Sequence, residues 1–336
     1  MSENKNIFNF GILGCGMIAE IHANAIASID CAELIGVTDN AADRATFFAE
    51  KYGVECYQSY ESMLADPRID AVCICTPSCF HAENAIKAME MGKHVAVEKP
   101  MAIDLKEADE VVAVSRRTGK YLTVISQLRF ADEIVKVKKM IDENAFGRIT
   151  LCSLSMKYYR SPEYYSSSSW KGTKKFDGGG ALMNQGIHGI DLLQYLVGPM
   201  TNVNGVAKTL CHNIEVEDTA VATFELENGA LGVLEASTCT YPGFSRRIEI
   251  HGERGYVSLL ENNIERLMID CNEVDVSSVS HGGTASDPTA LESDLHAKQL
   301  SSFIESIEKK TKIISDSCDG RRAVEVVERI YKFSEQ

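Results

Sequence analysis

The stretch Ile7-Phe8-Asn9-Phe10-Gly11-Ile12-Leu13-Gly14-Cys15-Gly16-Met17-Ile18-Ala19 decides the fold. Ile7 to Leu13 reads as a short apolar strand. It runs into Gly14, Cys15, Gly16, Met17, Ile18 and Ala19, a GxGxxA turn that opens a helix carrying Ile21, Ala25 and Ile29. The first glycine permits the tight turn. The second lets main chain approach a pyrophosphate seated on the helix N-terminus, where N–H groups point outward. Ala19 stands where a third glycine would, and a small residue suffices there for helix–strand packing. Alone, such a turn is also compatible with glycines that serve only the backbone.

The next strand narrows that choice. Leu34 to Val37 ends at Asp39, 25 residues beyond Gly14 (39 − 14). An acid there accepts hydrogen bonds from a ribose 2′-hydroxyl and repels a 2′-phosphate. Asn40 follows rather than Arg or Ser, so NAD is the expected cofactor. Arg44, a helical turn later, keeps NADP open as the lesser alternative.

The βα alternation continues outward. Ala41 to Tyr52 reads as helix, Ala71 to Cys75 as a strand ending on Thr76 and Pro77, and Ala82 to Met91 as helix before Gly92. The strand Val95 to Val97 stops on Glu98, Lys99 and Pro100. It is followed by a helix (Leu105 to Thr118) and a strand (Tyr121 to Ile125). Ligands of open α/β sheets collect at the carboxyl ends of strands, so Lys99 is expected to bring an ammonium into the crevice. Thr76, Pro77 and His81 are expected beside the cofactor, although His81 also reads as a helix-start residue without a ligand.

After one more helix (Ala131 to Glu143) the pattern changes to longer strands: Ile149 to Tyr159, Thr219 to Leu226, Ala230 to Thr240, Arg247 to His251, Tyr256 to Leu260 and Ile264 to Asp270. Hairpin-grade turns such as Asn228-Gly229 separate several of them. The expected architecture is α/β: a Rossmann dinucleotide-binding domain over 1–127, then a substrate-binding and oligomerisation domain over 128–336. The second is an α+β domain with a large, mostly antiparallel, open-faced sheet. Helices at Leu291 to Lys309 and Arg321 to Phe333 close the chain. So few helices leave one sheet face to cover, which points to a homodimer or homotetramer through that sheet.

Composition bounds the partners. A chain of 336 residues, 45% hydrophobic and 24% charged, is ordinary for two globular domains. The net charge of −14 argues against nucleic acid or an anionic membrane. No apolar run is long enough to span a bilayer, and the N-terminus (Met1 to Asn6, then Ile7 to Leu13) does not read as a signal peptide, so a cytoplasmic location is expected. The eleven cysteines are scattered, and Cys73, Cys75 and Cys79 lack metal-site spacing. Reduced thiols and no metal are expected.

The second chemical stretch is Asp177, Gly178, Gly179, Gly180, leading into a helix with Asn184, His188 and Asp191. The glycine run lets backbone come very close to a neighbour. Asn184 and His188 are four apart, hence on one helical face, with Leu182, Ile190, Leu193 and Leu196 as core. Histidine exchanges protons near neutrality. Upstream, Trp170 lies among Tyr158, Tyr159, Tyr164, Tyr165 and Lys171, Lys174, Lys175, a group suited to stacking on a sugar or nicotinamide ring or, equally, to core and solvated surface.

With these residues in place the chain resembles the Gfo/Idh/MocA family of NAD(P)-dependent oxidoreductases. The likeness rests on the GxGxxA turn with Asp39, Thr76-Pro77 and His81, Glu98-Lys99-Pro100, the run Gly178 to Asp191, and His296 with Gln299 and Phe303. The resemblance implies that Lys99 and His188 face the nicotinamide, that Gln127 sits near the cofactor, and that the open sheet is the subunit interface. The cofactor set is then Gly14, Gly16, Met17, Ile18, Asp39, Asn40, Arg44, Thr76, Pro77, His81, Glu98, Lys99 and Gln127. The substrate set is Lys99, Trp170, Lys171, Asn184 and His188. Many family members carry Asp where this chain has Asn184, and an amide cannot take a proton. The run from Trp170 to His188 looks most like the sugar-oxidising subgroup, which includes dehydrogenases acting at C3 of UDP-N-acetylhexosaminuronic acids.

The expected reaction is reversible hydride transfer between a secondary hydroxyl of a pyranose or related sugar and NAD. His188 serves as general base, and Lys99 donates a hydrogen bond to the same oxygen. Arg160, Lys171, Lys174 and Lys175 allow an anionic substrate. Two alternatives stand beside this reading. One is an NAD-dependent glycosidase working by transient C3 oxidation; the other is a non-catalytic dinucleotide sensor.

Overall fold

Short apolar runs separated by helices with polar outer faces are what a parallel sheet covered on both sides requires. The computed structural model, which describes residues 7–168, 170–275 and 293–335, contains such a sheet. The first part runs β1 (Phe8–Leu13), α1 (Met17–Ala27), β2 (Ala32–Thr38), α2 (Ala42–Tyr52), β3 (Glu55–Cys56), α3 (Tyr60–Ala65), β4 (Ala71–Ile74), α4 (His81–Glu90), β5 (His94–Val97), α5 (Leu105–Thr118) and β6 (Leu122–Val124). The six strands pair in parallel in the order β3-β2-β1-β4-β5-β6. Strand order reverses between β1 and β4, the switch point at which doubly wound sheets bind their ligands. The turns after both strands carry the Gly14–Gly16 and Thr76–Pro77 segments.

The chain continues through α6 (Asp132–Asp142), β7 (Ile149–Lys157), α7 (Pro162–Ser166), α8 (Lys174–Asp177), a π-helical turn (Ala181–Gly186), α9 (Ile187–Val197), β8 (Met200–Lys208), β9 (Thr219–Leu226) and β10 (Leu231–Ser237). Then come β11 (Arg247–Gly252), β12 (Gly255–Leu260), β13 (Asn263–Ile269), β14 (Asn272–Glu273), α10 (Asp294–Lys309) and α11 (Ser317–Ser334). The second sheet has eight strands in the order β14-β13-β12-β11-β7-β10-β9-β8, antiparallel except for the β7–β10 pair. Period-two alternation gives it two unlike faces. One buries Cys152, Leu154, Met156, Phe224, Leu234, Ile248 and Ile250; the other exposes Leu151, Val206, Val221, Leu231 and Val233.

Strand β8 escapes the sequence reading. It is an edge strand, its register slips between Thr201 and Asn204, and Asn202 takes a φ of 45°, so its pattern lacks a clean alternation.

Two compact units result: Met1–Gln127 with Leu291–Arg321, and Leu128–Ala290 with Arg322–Gln336. The segment holding α10 therefore groups with the first unit, although the sequence reading placed it in the second domain. The reason is its apolar face: Leu300, Phe303 and Ile304 share one core cluster with Ala19, Ala23 and Ile26 of α1. Gln299 adds polar stitching, accepting from the Ser126 N–H (3.0 Å) and donating to Thr123 Oγ1 (2.9 Å) and the Val124 carbonyl (2.8 Å). The expected helix start at Leu291, the N-terminal Met1 to Asn6 and Ser169 lie outside the described residues. Among the described residues no helix is long and apolar enough to cross a membrane.

Candidate active site

In the first unit the glycine turn is built by contact with its neighbour strand. Gly14 has a φ of +90°, and a Cβ there would meet the Cys75 carbonyl oxygen at 2.8 Å, so only glycine fits. Gly16, the N-cap of α1, has open space where its Cβ would be. Met17 is exposed and Ile18 half-buried in the first helical turn. Asp39 closes the turn from the end of β2. Its Oδ2 accepts from the Cys15 N–H (2.7 Å) and Arg44 Nε (3.0 Å), and its Oδ1 accepts from the Ala41 N–H (2.8 Å) and Arg44 Nη2 (2.7 Å). Burial works to raise this carboxyl's pKa, but the Arg44 fork and the two amides hold it below the usual value. Asn40 also accepts from Arg44, at 3.4 Å.

Two buried polar atoms nearby in the chain's strand-end turns, Thr76 Oγ1 and Gln127 Oε1, have no hydrogen-bond partner among the described residues. Buried polar groups are normally satisfied, so such orphans are what a bound polar ligand would complete. With the open Gly16 and the Asp39 carboxylate they fit a dinucleotide. His81 differs: its Nδ1 lies 2.6 Å from the Pro100 carbonyl and its Nε2 2.7 Å from the Thr76 carbonyl. Main-chain carbonyls face both nitrogens, so His81 sits between the turn after β4 and the turn after β5; burial pushes its pKa down, and the neutral ring donates to one carbonyl at a time.

At the end of β5, Glu98 is buried while Lys99 is half-buried, and the Lys99–Pro100 bond is cis. Glu98 Oε2 accepts from the Lys99 N–H (3.2 Å), and Oε1 accepts from His22 Nε2 (2.8 Å). Burial alone would raise the Glu98 pKa; the His22 contact overrides it and holds the carboxyl at about 2.

The second unit builds its site from side chains. The first turn of the helix bearing Asn184 is π, with the Gln185 N–H bonding back to the Gly180 carbonyl, so the four-residue spacing to His188 is not that of one continuous α-helix. The glycine run meets the protein itself. A Cβ on Gly180 would lie 2.0 Å from the Glu217 carbonyl oxygen, and one on Gly179 would lie 2.2 Å from the Tyr331 hydroxyl. The Glu217 carboxylate accepts from the N–H groups of Gly180 (3.0 Å) and Leu182 (2.7 Å), capping that turn. Leu182, Ile190, Leu193 and Leu196 are core, and Asp191 forms a buried two-point ion pair with Arg129 (2.9 and 2.5 Å).

Asn184 Nδ2 donates to Asp177 Oδ1 at 2.6 Å, and Asp177 Oδ2 accepts from the Gly172 N–H at 2.9 Å. His188 is half-buried in the first turn of α9. Arg160 is buried, its Nη2 donating to Gln185 Oε1 (2.9 Å) and Nη1 to the Tyr159 carbonyl (3.0 Å), between the rings of Tyr158 and Tyr164 (5.8 and 5.6 Å). Its Nε has no partner among the described residues. Lys171 sits 4.1 Å over the Tyr164 ring and donates to Ser167 Oγ (3.2 Å); burial holds its pKa below the usual value. Trp170 is half-buried, whereas Lys174 and Lys175 are exposed.

Sequence reasoning missed His22 behind Glu98, Gln185 as a partner of Arg160, and Glu217 as a remote cap, and it singled out Asp177 without foreseeing its bond to Asn184. No local spacing announces a contact between residues 76 positions apart, as His22 and Glu98 are.

Comparison with known proteins agrees with this geometry. Residues 8–126 match the family described as "Oxidoreductase family, NAD-binding Rossmann fold", and residues 134–258 match the "GFO/IDH/MocA C-terminal domain". The chain is 31% identical to the uncharacterized oxidoreductase YrbE of Bacillus subtilis, covering 73% of this chain and 71% of that one. It is 28% identical to the myo-inositol 2-dehydrogenase of Thermotoga maritima, covering 74% and 73%. The WlbA dehydrogenase of Bordetella pertussis, solved with NADH and UDP-GlcNAcA, superposes with a TM-score of 0.86 at 31% identity, covering 98% and 97% of the two chains. A glycine turn shaped for a pyrophosphate, an acid at the end of β2, an open-faced sheet and these likenesses together show that the chain belongs to the GFO/IDH/MocA family of NAD-binding oxidoreductases.

Proposed function

We propose that the protein oxidises a secondary hydroxyl of a sugar, reversibly and with NAD, and that Lys99 and His188 manage the hydroxyl proton. The observation that carries the reading is the fastening of Lys99. Its N–H is held by Glu98, and the carbonyl of the next residue, Pro100, lies 2.6 Å from His81 Nδ1, at a strand's carboxyl end in a dinucleotide-shaped unit. NAD, when bound, supplies the hydride acceptor. Gly14, Gly16, Met17 and Ile18 offer main chain to its phosphates, Asp39, Asn40 and Arg44 meet the adenosine side, and Thr76, Pro77 and Gln127 complete the cradle.

The substrate hydroxyl gives its proton to His188, a role worth about 10²- to 10⁴-fold in rate. Lys99 donates a charge-assisted hydrogen bond to the same oxygen and stabilises its alkoxide character. Asn184 presents its amide to a neighbouring hydroxyl. Its Nδ2 donates to Asp177 and its Oδ1 accepts from Gln185 Nε2 (3.4 Å), so a carboxylate still lies 2.6 Å away despite the amide at position 184.

Arg160 and Lys171 favour a substrate with an acidic substituent. Both cations flank the Tyr164 ring, and no carboxylate pairs with either among the described residues. The planar guanidinium fork matches a carboxylate or phosphate in geometry, so an anion is its natural complement. The acidic sugar nucleotide in the WlbA structure and the cyclitol of the Thermotoga enzyme mark the chemical range of such relatives.

Following reduced-cofactor absorbance across matched neutral sugars, sugar acids, sugar phosphates, glycosides and nucleotide sugars tests this. Turnover concentrated on acidic members is expected. Release of free sugar without net NADH would indicate a glycosidase instead, and tight NAD binding without turnover of any compound would indicate a sensor. The open sheet face, with Leu151, Val206, Val221, Leu231 and Val233 exposed, supports assembly into a homodimer or homotetramer. Light scattering of Leu231→Lys/Val233→Asp protein against wild type tests it, and an unchanged mass refutes it.

A further inference from the structure

Glu98 is buried with two histidines from distant segments. His22 comes from α1 and His296 from α10; both are no more than 1% exposed. His22 Nε2 lies 2.8 Å from Glu98 Oε1 and His296 Nε2 lies 3.8 Å from the same oxygen, while the two rings meet edge-on with centroids 5.5 Å apart. The other carboxylate oxygen accepts the Lys99 N–H. We propose that His22, Glu98 and His296 are positioning residues: a buried knot that carries one ion pair and fixes the main chain of Lys99. The proposal rests on the reading of Lys99 given above.

The argument is one of charge and reach. Three apolar side chains of similar volume would pack here as well or better, since buried ion pairs rarely add net stability. They could not accept the Lys99 N–H. A carboxylate can, but it stays ionised in the core only if a cation faces it. His22 supplies that cation at hydrogen-bond distance. Burial works against charging the ring, yet Cys75, just past β4, and Cys73 on β4 raise its pKa well above 6.5, and the Glu98 carboxylate lies at hydrogen-bond distance. His296 faces the same oxygen from farther away. Burial, and then the charge on His22, bring its pKa down to about 4, so it is neutral at pH 7. The knot thus holds one proton between one acid and its nearer imidazole, with the second imidazole as a neutral wall. Its neighbours in charge are Lys99, Cys73 and Cys75.

Three measurements decide it. Histidine-ring nitrogen spectra of the full chain should show His22 as an imidazolium at pH 7.5, and Glu98→Gln should abolish that state. Amide exchange at Lys99 should quicken at least about ten-fold in His22→Gln and in Glu98→Gln, as expected when a hydrogen bond is lost. With a substrate from the sugar panel, each single variant should lower kcat roughly 10- to 100-fold, as small misplacements do, with NAD affinity within about three-fold. The double variant should recover at least about ten-fold over His22→Gln, because two amides can bond without charge. A neutral His22 at pH 7.5, unchanged Lys99 exchange, losses that multiply in the double variant, or a stoichiometric metal released by a chelator would each overturn the proposal. Should His22→Gln fail to fold, Glu98→Gln and the double variant carry the comparison. Should wild type oxidise no sugar, the catalytic reading of Lys99 fails, while the spectra and exchange still show whether the knot fixes its main chain.

Discussion

The two units differ in what their candidate sites are made of, although each also holds buried side-chain networks and unpartnered polar atoms among the described residues. In the first, the groups proposed to meet a ligand are mostly main chain, and some side-chain atoms lack partners: Gly16 faces open space, and Thr76 Oγ1 and Gln127 Oε1 have no partner among the described residues. In the second, side chains are linked to one another: Arg160 to Gln185 to Tyr164, and Asn184 to Asp177 to the Gly172 N–H. A site read by main chain suits a ligand shared by many proteins. A site read by a relay of side chains can be retuned by single substitutions.

The sharpest way to break this contrast is to remove the proposed proton-handling group from each unit. Lys99→Ala and His188→Ala should each lower kcat about 10²- to 10⁴-fold while NAD affinity, measured by fluorescence titration, stays within about three-fold. Near wild-type turnover in either variant would remove that residue from the mechanism. Arg160→Met probes the side-chain relay: KM for an acidic sugar should rise roughly 10- to 100-fold, the range of a hydrogen bond to a charged group, with little change for its neutral counterpart. Equal losses on both would show that Arg160 only supports the fold. Asp39→Ala probes the main-chain side. NAD affinity should fall about ten-fold and discrimination against NADP should relax, as isothermal titration would report.

The smallest effect concerns pH and separates the units by sign. In the first, burial brings His94 and His296 down to about 4, so between pH 6.5 and 4 the native state binds fewer protons than the unfolded chain. Stability there falls on acidification across that window. Glu98, held at about 2, contributes stability that is lost only as pH drops from about 4.5 through 2. His22 has the opposite sign: its pKa is raised, and its contribution, complete below pH 6.5, is lost as pH climbs through its folded value. In the second unit, burial raises Glu217, whose contribution is present below pH 4.5 and lost as pH rises. Hydrogen exchange at pH 6.5 and 4.5 should therefore loosen β4 and β5 more than β9 and β10, and His296→Gln should narrow the gap. Equal loosening would refute the assignment.

What was legible in sequence follows from the range of the forces involved. The glycine turn, the acid at position 39, the parallel strands and the hairpins of the second sheet are local: a few residues set the φ, the periodicity and the cap, and any folded context must respect them. The cofactor class is legible for the same reason, since it is read by a turn and a strand end. The sequence could also nominate Lys99 and His188 by residue type. Only the tertiary structure decided that α10 joins the first unit, that His81 sits between two carbonyls, that Asn184 leans on Asp177, and that Glu217 caps the π turn. Those contacts join segments whose separation along the chain carries no periodic signal. They exist because burying a polar group without a partner is costly, and the nearest partner in space is chosen by packing.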